Sequence, residues 1–298
     1  MDLSVITVTW NNEENIEEQI KSVFSGCKNV SCEEIVVDNG SSDETVNIVK
    51  GVVETQNIAS VQSAQNIASV LRIIENKKNL GFGSANNKGV EVAQGEFILF
   101  LNPDMRVKPE SLDIIVDWMR KNKDVGMVSP KLVDQHGKFN WDASPRRFPK
   151  LWEQVALILK LPHLFPKILD KYHMKDLDIE LEQEVDSVRG SFILIRREVV
   201  EKLGWGFDPR YFIWYEDVDT CREVKKLGYK VMYTPIISCV DYVGQSFKKR
   251  TTLWKQKEFT RSMLTYFKKW EPAYKWVWIA LVRPVGIGMA WVNDKMHK

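Results

Sequence analysis

Four apolar, β-rich runs in the first third of this chain each stop at a cluster of Asn, Asp, Gly or Ser. Leu3-Ser4-Val5-Ile6-Thr7-Val8-Thr9 runs into Trp10-Asn11-Asn12, and Glu34-Ile35-Val36-Val37 into Asp38-Asn39-Gly40-Ser41-Ser42-Asp43. Leu71-Arg72-Ile73-Ile74 leads to Asn79-Leu80-Gly81-Phe82-Gly83-Ser84-Ala85-Asn86-Asn87, and Phe97-Ile98-Leu99-Phe100-Leu101 to Asn102-Pro103-Asp104. Between the first two runs, Ile16, Ile20, Val23 and Phe24 recur at helical spacing, and a second helix is expected from Glu44-Thr45. Strand alternating with helix predicts an α/β fold built on a parallel, doubly wound sheet. Such sheets bind ligands just beyond the carboxyl ends of their strands, where these polar clusters fall. Every strand-to-helix turn is polar to some degree. Two carboxylates there, Asp38 and Asp104, with Asn-rich turns between, favour a site.

The rest of the sequence narrows the class. A net charge of +2 gives no global drive toward nucleic acid. Cys27, Cys32, Cys221 and Cys239 form neither a CxxC pair nor a zinc spacing, so reduced thiols in a cytosolic compartment are expected. His136, His163, His173 and His297 are scattered, which argues against a histidine-based metal site. The amino terminus has no basic n-region, and Leu3 to Val8 is too short for a signal core, so secretion is not expected. Gln56 to Val61 recurs as Gln65 to Val70; a nine-residue shift turns the copies to opposite faces of a helix or strand, and the repeat is read as a lengthened connection. The stretch from Val125 to Asp186 is irregular, with a loop at Ser144-Pro145-Arg146-Arg147-Phe148-Pro149 and a helix over Trp152 to Leu161. Strands are expected at Val188 to Ile195 and Lys230 to Ile237.

Tyr215-Glu216-Asp217-Val218-Asp219 sets three carboxylates directly after the aromatic run Tyr211-Phe212-Ile213-Trp214. Acids against aromatics can be held at a pocket rim with a tuned pKa, as a catalytic base requires. Acids also favour a first helical turn, and Cys221 to Leu227 continues plausibly as helix. The run alone leaves both readings open.

After Phe247 the composition changes. Lys248, Lys249, Arg250, Lys255, Lys257, Lys268 and Lys269 interleave with Trp254, Phe259, Tyr266, Phe267 and Trp270. Trp276 to Val282, Arg283-Pro284 and Val285 to Val292 follow. Charge and proline in mid-run argue against a clean transmembrane span; an interfacial helix pair on an anionic membrane fits better. The alternative is a helix packed on the domain's own core.

Taken in order, these segments resemble a known family. Thr7-Val8-Thr9-Trp10-Asn11, Val36 to Asp43, Asn79-Leu80-Gly81-Phe82-Gly83 and Leu101-Asn102-Pro103-Asp104 are followed by Gly190 to Arg197, Gly206-Phe207-Asp208 and Glu216 to Asp219. Each motif is weak alone; their order and spacing are specific. The chain resembles a family 2 glycosyltransferase of the GT-A fold, with a Rossmann-like, mostly parallel sheet flanked by helices. Within the family it is similar to the rhamnosyltransferase-like enzymes of cell-surface polysaccharide assembly. The likeness spans 1–247 and implies a nucleotide-sugar-binding half, 1–125, and an acceptor-binding half, 126–247. The remainder, 248–298, is a basic, aromatic, helical extension expected at the membrane.

The resemblance implies inverting transfer of a sugar from a nucleotide diphosphate donor to an acceptor hydroxyl. Asp38 would contact the donor's base or ribose, Thr9 and Trp10 would frame the base, and Asn79 and Asn86 would line the nucleotide pocket. Asn102-Pro103-Asp104 stands where the family carries its metal-binding DxD motif. Asn102 replaces the first Asp, leaving Asp104 as ligand for a divalent cation, Mg²⁺ or Mn²⁺, held jointly with the diphosphate. That variant is usual in the rhamnosyltransferase-like group, which favours a dTDP-L-rhamnose donor. Asp217 is the expected general base. Glu216 is the alternative base, or with Asp219 a positioning group, and Arg222 is expected to pair with one of these two. Asp241-Tyr242-Val243-Gly244-Gln245-Ser246 departs from a His-x-Gly-Gly-x-Ser pattern, so that Asp241 takes the place of a histidine ligand. The implied acceptor is a cell-surface polysaccharide or lipid-linked glycan, and the implied location the inner face of the cell membrane.

Three other classes fit the sequence less well. A nucleotidyltransferase carries a Gly-rich, basic loop near its start, and Trp10-Asn11-Asn12-Glu13-Glu14 is neither. A catalytically silent glycan-binding scaffold is permitted by Asn102 and Asp241 but not favoured by an intact Asp217. A Rossmann dehydrogenase lacks support because no GxGxxG follows the first strand. A donor other than dTDP-L-rhamnose, carried on UDP or GDP, is compatible with every motif.

Overall fold

The computed structural model describes residues 1–62, 69–242 and 250–296. Its first half is a regular alternation: β1 (Leu3–Thr9), α1 (Ile16–Gly26), β2 (Cys32–Asp38), α2 (Thr45–Gln62), β3 (Ser69–Glu75), α3 (Phe82–Val92) and β4 (Phe97–Leu101). These strands pair in parallel in the order β3-β2-β1-β4. Thr9 aligns with Asp38 and Asp38 with Glu75, so the polar clusters after β1, β2 and β3 emerge at one edge of the sheet.

The second half adds β5 (Met105–Val107), α4 (Ser111–Lys121), β6 (Val125–Val133), α5 (Leu151–Ile158), β7 (Gln183–Glu184), β8 (Phe192–Arg196), α6 (Arg197–Leu203), α7 (Glu216–Lys226) and β9 (Lys230–Asp241). The sheet becomes mixed here: β8 runs antiparallel to β4 and β6, and β5 antiparallel to β9, while β6 and β9 are parallel. β6 lies inside the stretch expected to be irregular. Pro130 marks a register shift in it, where a residue without an N–H interrupts the ladder. β8 starts four residues later than expected, at Phe192. The Gly190 N–H in that lead-in goes to the Asp217 carboxylate.

Side chains alternate between two cores. Leu3, Val5, Phe97, Leu99 and Leu101 enter one cluster, and Ile6, Ile98 and Phe100 the other, as a period of two requires. The first copy of the repeat ends α2, and β3 begins within the second; most of the second copy lies outside the described residues.

Two helices close the chain, α8 (Thr252–Trp270) and α9 (Ala273–Met296). Met263, Tyr266, Phe267 and Ile279 form a third cluster with Tyr211, Tyr215 and Val218, so the extension packs on the acidic segment. α9 runs unbroken through Pro284, and Arg283 turns inward to give its Nε to Thr260 Oγ1 at 3.1 Å. By length and composition alone α9 is apolar enough to cross a membrane.

Candidate active site

The turns at the sheet edge are tied to one another by asparagine side chains. After β1, Asn12 Oδ1 accepts the Trp10 N–H at 2.9 Å and the Thr9 hydroxyl at 3.2 Å, fixing a tight turn. After β2, Asp38 Oδ2 accepts the Gly40 and Ser41 N–H groups, each at 3.0 Å. Asp38 Oδ1 is buried and has no hydrogen-bond partner among the described residues. Asn39 reaches across, donating to Asn79 Oδ1 at 3.1 Å and accepting the Leu80 N–H at 2.9 Å. Gly81 then takes φ +87°, and a Cβ there would lie 2.5 Å from the Phe212 carbonyl oxygen. Only glycine allows that approach, and it lets the Phe82 N–H bond the same carbonyl at 2.7 Å.

Beyond β4, the Asn102 N–H bonds the Ser191 carbonyl at 3.0 Å, and the Asn102 carbonyl accepts the Met105 N–H at 3.1 Å. This turn delivers Asp104 immediately before β5. Met105 pairs with Asp241 in the β5–β9 ladder, and the Tyr242 N–H bonds the Asp104 carbonyl at 3.0 Å. Two carboxylates distant in sequence thus meet at one sheet edge, and Asn140 Nδ2 donates to Asp241 Oδ2 at 3.2 Å.

The acidic run opens a helix. α7 begins at Glu216, and the two residues before it, Trp214 and Tyr215, both sit in the left-handed region at φ 65° and 70°. Non-glycine residues held there cost roughly 1–3 kcal/mol each and need outside support. The Tyr215 hydroxyl donates to Gln154 Oε1 at 2.6 Å, and Ser262 of α8 donates to the Ile213 carbonyl at 2.7 Å. Asp217 Oδ2 accepts the Gly190 N–H at 3.1 Å and Oδ1 the Val218 N–H at 2.8 Å; Arg189 stands 3.7 Å away. Each oxygen keeps a lone pair for a further proton donor. Burial, reinforced by the neighbouring Asp217 charge, pushes Glu216 up to about 8. Asp219 faces the other way, taking Lys269 at 2.7 Å, the Trp270 indole N–H at 2.6 Å and the Tyr211 hydroxyl at 3.1 Å.

Trp10, Asn79, Asn102, Asp104, Glu216, Asp217 and Asp241 all line one cavity of about 280 Å³. Three expected residues do not. Thr9 and Asp38 stand behind the lining, committed to their turns. Asn86 is buried in α3, where its amide caps the Phe82 carbonyl at 3.0 Å. Arg222 pairs with neither acid proposed for it: it bonds Glu271 at 3.4 Å and stacks 4.6 Å from the Trp270 ring, because Lys269 already holds Asp219.

The cavity also contains groups that the sequence did not single out. Arg189 immediately precedes the recognised Gly190-Ser191 motif. Arg250 and Trp254 come from the extension: the Arg250 guanidinium lies 4.3 Å from the Trp10 ring and 4.8 Å from Trp254. No local signal marks this roof, since only the packing of α8 brings it over β1.

The donor set suits a hard divalent cation. Asp104, just before β5, and Asp241, at the end of β9, bring carboxylate oxygens to one cavity. Among the described residues no group of three or more His, Cys, Asp or Glu side chains gathers, so substrate and water oxygens would complete the shell. Val243 to Ser246, the rest of the altered motif, lie outside the described residues.

Comparison with known proteins bears on this geometry. The chain is 26% identical over 258 residues to an N-acetylglucosaminyl-diphospho-decaprenol L-rhamnosyltransferase of Mycobacterium tuberculosis, covering 82% of this chain and 77% of that one. It is 28% identical over 191 residues to rhamnosyltransferase WbbL of Escherichia coli, covering 61% and 69%. In fold it is similar to the mannosyltransferase PcManGT of Pyrobaculum calidifontis, solved with GDP-Man and Mn²⁺, at TM-score 0.61 and 19% identity over 97% of this chain and 73% of that one. TarS of S. aureus, solved with UDP-GlcNAc, aligns at TM-score 0.56 and 17% identity over 89% and 65%. These likenesses support the GT-A architecture. The family model described as glycosyl transferase family 2 matches residues 4–204, and the chain belongs to that family.

Proposed function

We propose that this protein is an inverting rhamnosyltransferase that moves L-rhamnose from dTDP-L-rhamnose to a hydroxyl of a lipid-linked glycan. The observation that carries this is one cavity shared by Asp217 and the Asp104–Asp241 pair. The donor's nucleotide would lie between the Trp10–Arg250 stack and the Asn39–Asn79 bridge. Asp104 and Asp241 would hold the divalent cation, which when bound offsets charge on the leaving diphosphate.

Asp217 is the base. Its two backbone N–H bonds aim the carboxylate, and it takes the acceptor's hydroxyl proton as that oxygen bonds the anomeric carbon. The bond from that carbon to the diphosphate oxygen breaks, its electron pair leaving with the nucleoside diphosphate. A single in-line displacement inverts the centre. Glu216 is a poorer candidate, because a carboxyl pushed up to about 8 holds its own proton at neutral pH. The rhamnosyltransferase relatives support the donor sugar, and the decaprenol-linked substrate named for one of them supports the acceptor class.

An exposed apolar face supports contact with the inner membrane surface. Trp278, Leu281 and Val285 of α9 are 48%, 62% and 54% exposed, and Trp152 of α5 lies 6.0 Å from Trp278. Lys268 and Lys295 flank the aromatic residues Trp276 and Trp291, which suits an anionic interface.

A thermal-shift panel of nucleotide sugars, each with and without Mg²⁺ or Mn²⁺, tests the donor. A donor at about a hundred times its Kd adds roughly 2.7 kcal/mol to the folded state. Cation-dependent stabilisation strongest with dTDP-L-rhamnose is expected; no stabilisation by any nucleotide diphosphate sugar would overturn the proposal.

A further inference from the structure

A second, smaller cavity of about 130 Å³ adjoins Asp217. It shares Arg189, Trp214 and Asp217 with the larger one and adds Arg146, Tyr172 and Phe259. The loop Ser144 to Pro149, which the donor chemistry does not use, supplies Arg146. Its backbone is clamped to Ser187 by paired bonds, Arg146 N–H to the Ser187 carbonyl at 2.9 Å and Ser187 N–H to the Arg146 carbonyl at 3.0 Å. Ser187 lies two residues before Arg189, so the clamp brings Arg146 and Arg189 to the lining of one cavity. The next residue, Arg147, bonds the Tyr172 carbonyl through its N–H at 3.0 Å and brings the phenol to the same place.

The charge in this cavity does not balance. Arg146 is more than nine-tenths buried, and its guanidinium bonds only neutral acceptors: the Trp141 carbonyl at 3.2 Å, the Asp142 carbonyl at 2.8 Å and the Ser144 hydroxyl at 3.1 Å. Among the described residues no carboxylate lies within ion-pair distance of it, and Arg189 meets Asp217 only at 3.7 Å. Burial, and then the like charge of Arg189, bring Arg146 down to about 10. A buried guanidinium without a counter-ion is costly, and a planar, five-donor cation matches phosphate oxygens in particular.

We propose that this cavity is a subsite for a phosphate or diphosphate group carried by the acceptor, bound by Arg146 and Arg189 with help from the Tyr172 hydroxyl. Its position favours the acceptor over the donor. Trp10, Asn79, Asp104, Asp241 and Arg250 line only the larger cavity, and the base stands at the junction of the two. An acceptor whose hydroxyl meets Asp217 from this side places its anionic group among the arginines. Its apolar remainder would leave along the segment before Tyr172, where Leu164 and Phe165 are 72% and 61% exposed.

This rests on the glycosyl-transfer reading, and its test is a ratio. Two synthetic acceptors carry the same sugar and alkyl chain, one through a diphosphate and one through a neutral glycosidic oxygen. The readout is the preference, kcat/KM for the first over the second, in which any loss common to both cancels. Wild type should prefer the diphosphate acceptor, and Arg146→Met should lower that preference at least tenfold, with partial recovery in Arg146→Lys. If Arg146→Met does not fold, Arg189→Gln and Tyr172→Phe are read by the same ratio and should each lower it. An unchanged ratio in the folded variants would overturn the subsite. So would a wild type that shows no preference while inorganic phosphate inhibits both acceptors equally, which would mark a site for free phosphate. Absence of donor turnover by wild type with either acceptor would instead overturn the glycosyl-transfer reading on which the subsite stands.

Discussion

At the scale of single residues, burial decides which carboxylates can do acid–base work. Glu216 and Asp217 are neighbours, yet Glu216 has an oxygen that is buried without a hydrogen-bond partner, while both oxygens of Asp217 are met by N–H groups. Glu216→Gln should therefore lower turnover far less than Asp217→Asn, as steady-state rates at neutral pH would register. Away from the site, Glu34 is fully buried, and burial, opposed by the Gln19 and Thr7 hydrogen bonds, pushes it up to about 7. A folded-state pKa above the ordinary value of 4.5 gives stability that is complete below that value and lost as pH rises through about 7. Glu34→Gln should remove that loss, which amounts to roughly 3 kcal/mol, and urea unfolding at about pH 5 and about pH 8 would measure it. A variant with the wild-type pH slope would show that Glu34 is ionised in the folded protein. Asp38 and Asn86 teach a related lesson. By residue type both stand at the right strand end or helix, but hydrogen bonds to their own turn and helix hold them behind the cavity lining. Sequence position marks the neighbourhood, and side-chain partners decide who faces the cavity.

At the scale of elements, the first four strands were legible because each is a short apolar run closed by turn-forming residues. The α7 start was legible as a helix signal. Its strained approach was not, since nothing in Trp214-Tyr215 favours a left-handed backbone; the segment is held by α5, α8 and the Gly81 loop. Gly81→Ala should therefore act at a distance. It should cost about 1–3 kcal/mol through its positive φ and its clash with Phe212, and it should lower turnover by shifting the approach to Asp217. Thermal unfolding and kcat, measured together, would show both effects; a neutral substitution would mean that the loop does not brace the base. The α7–α8 clasp gives a sharper case. Lys269 meets Asp208, Asp219 and Glu223 at 3.2, 2.7 and 2.9 Å. Lys269→Met leaves buried Asp219 without its cation and should destabilise the protein by about 3–5 kcal/mol, measurable by denaturant unfolding. β6 and the Arg250–Trp254 roof escaped the sequence because both depend on packing between segments far apart.

At the scale of the whole molecule, the extension packs on the cavity as well as carrying the apolar face proposed for a membrane. Its basic and aromatic composition points to a membrane, yet Arg250 and Trp254 roof the cavity, and Ser262 and Lys269 hold the segment that carries Asp217. The residues left for a lipid surface are a subset on α9 and α5. Replacing Trp278, Leu281 and Val285 together by Ser should abolish co-sedimentation with anionic phospholipid vesicles while donor-induced stabilisation persists. Retained sedimentation would place the contact elsewhere. Asp104 lies 113 residues before Asp217 and Asp241 lies 24 after it, yet all three line the one cavity in which the proposed transfer takes place. The most direct test compares nucleoside diphosphate release from the donor by wild type and by Asp217→Asn, with donor affinity measured alongside. The prediction is unchanged donor binding and a loss of turnover of about 10²–10⁴-fold; equal release by the two proteins would contradict it.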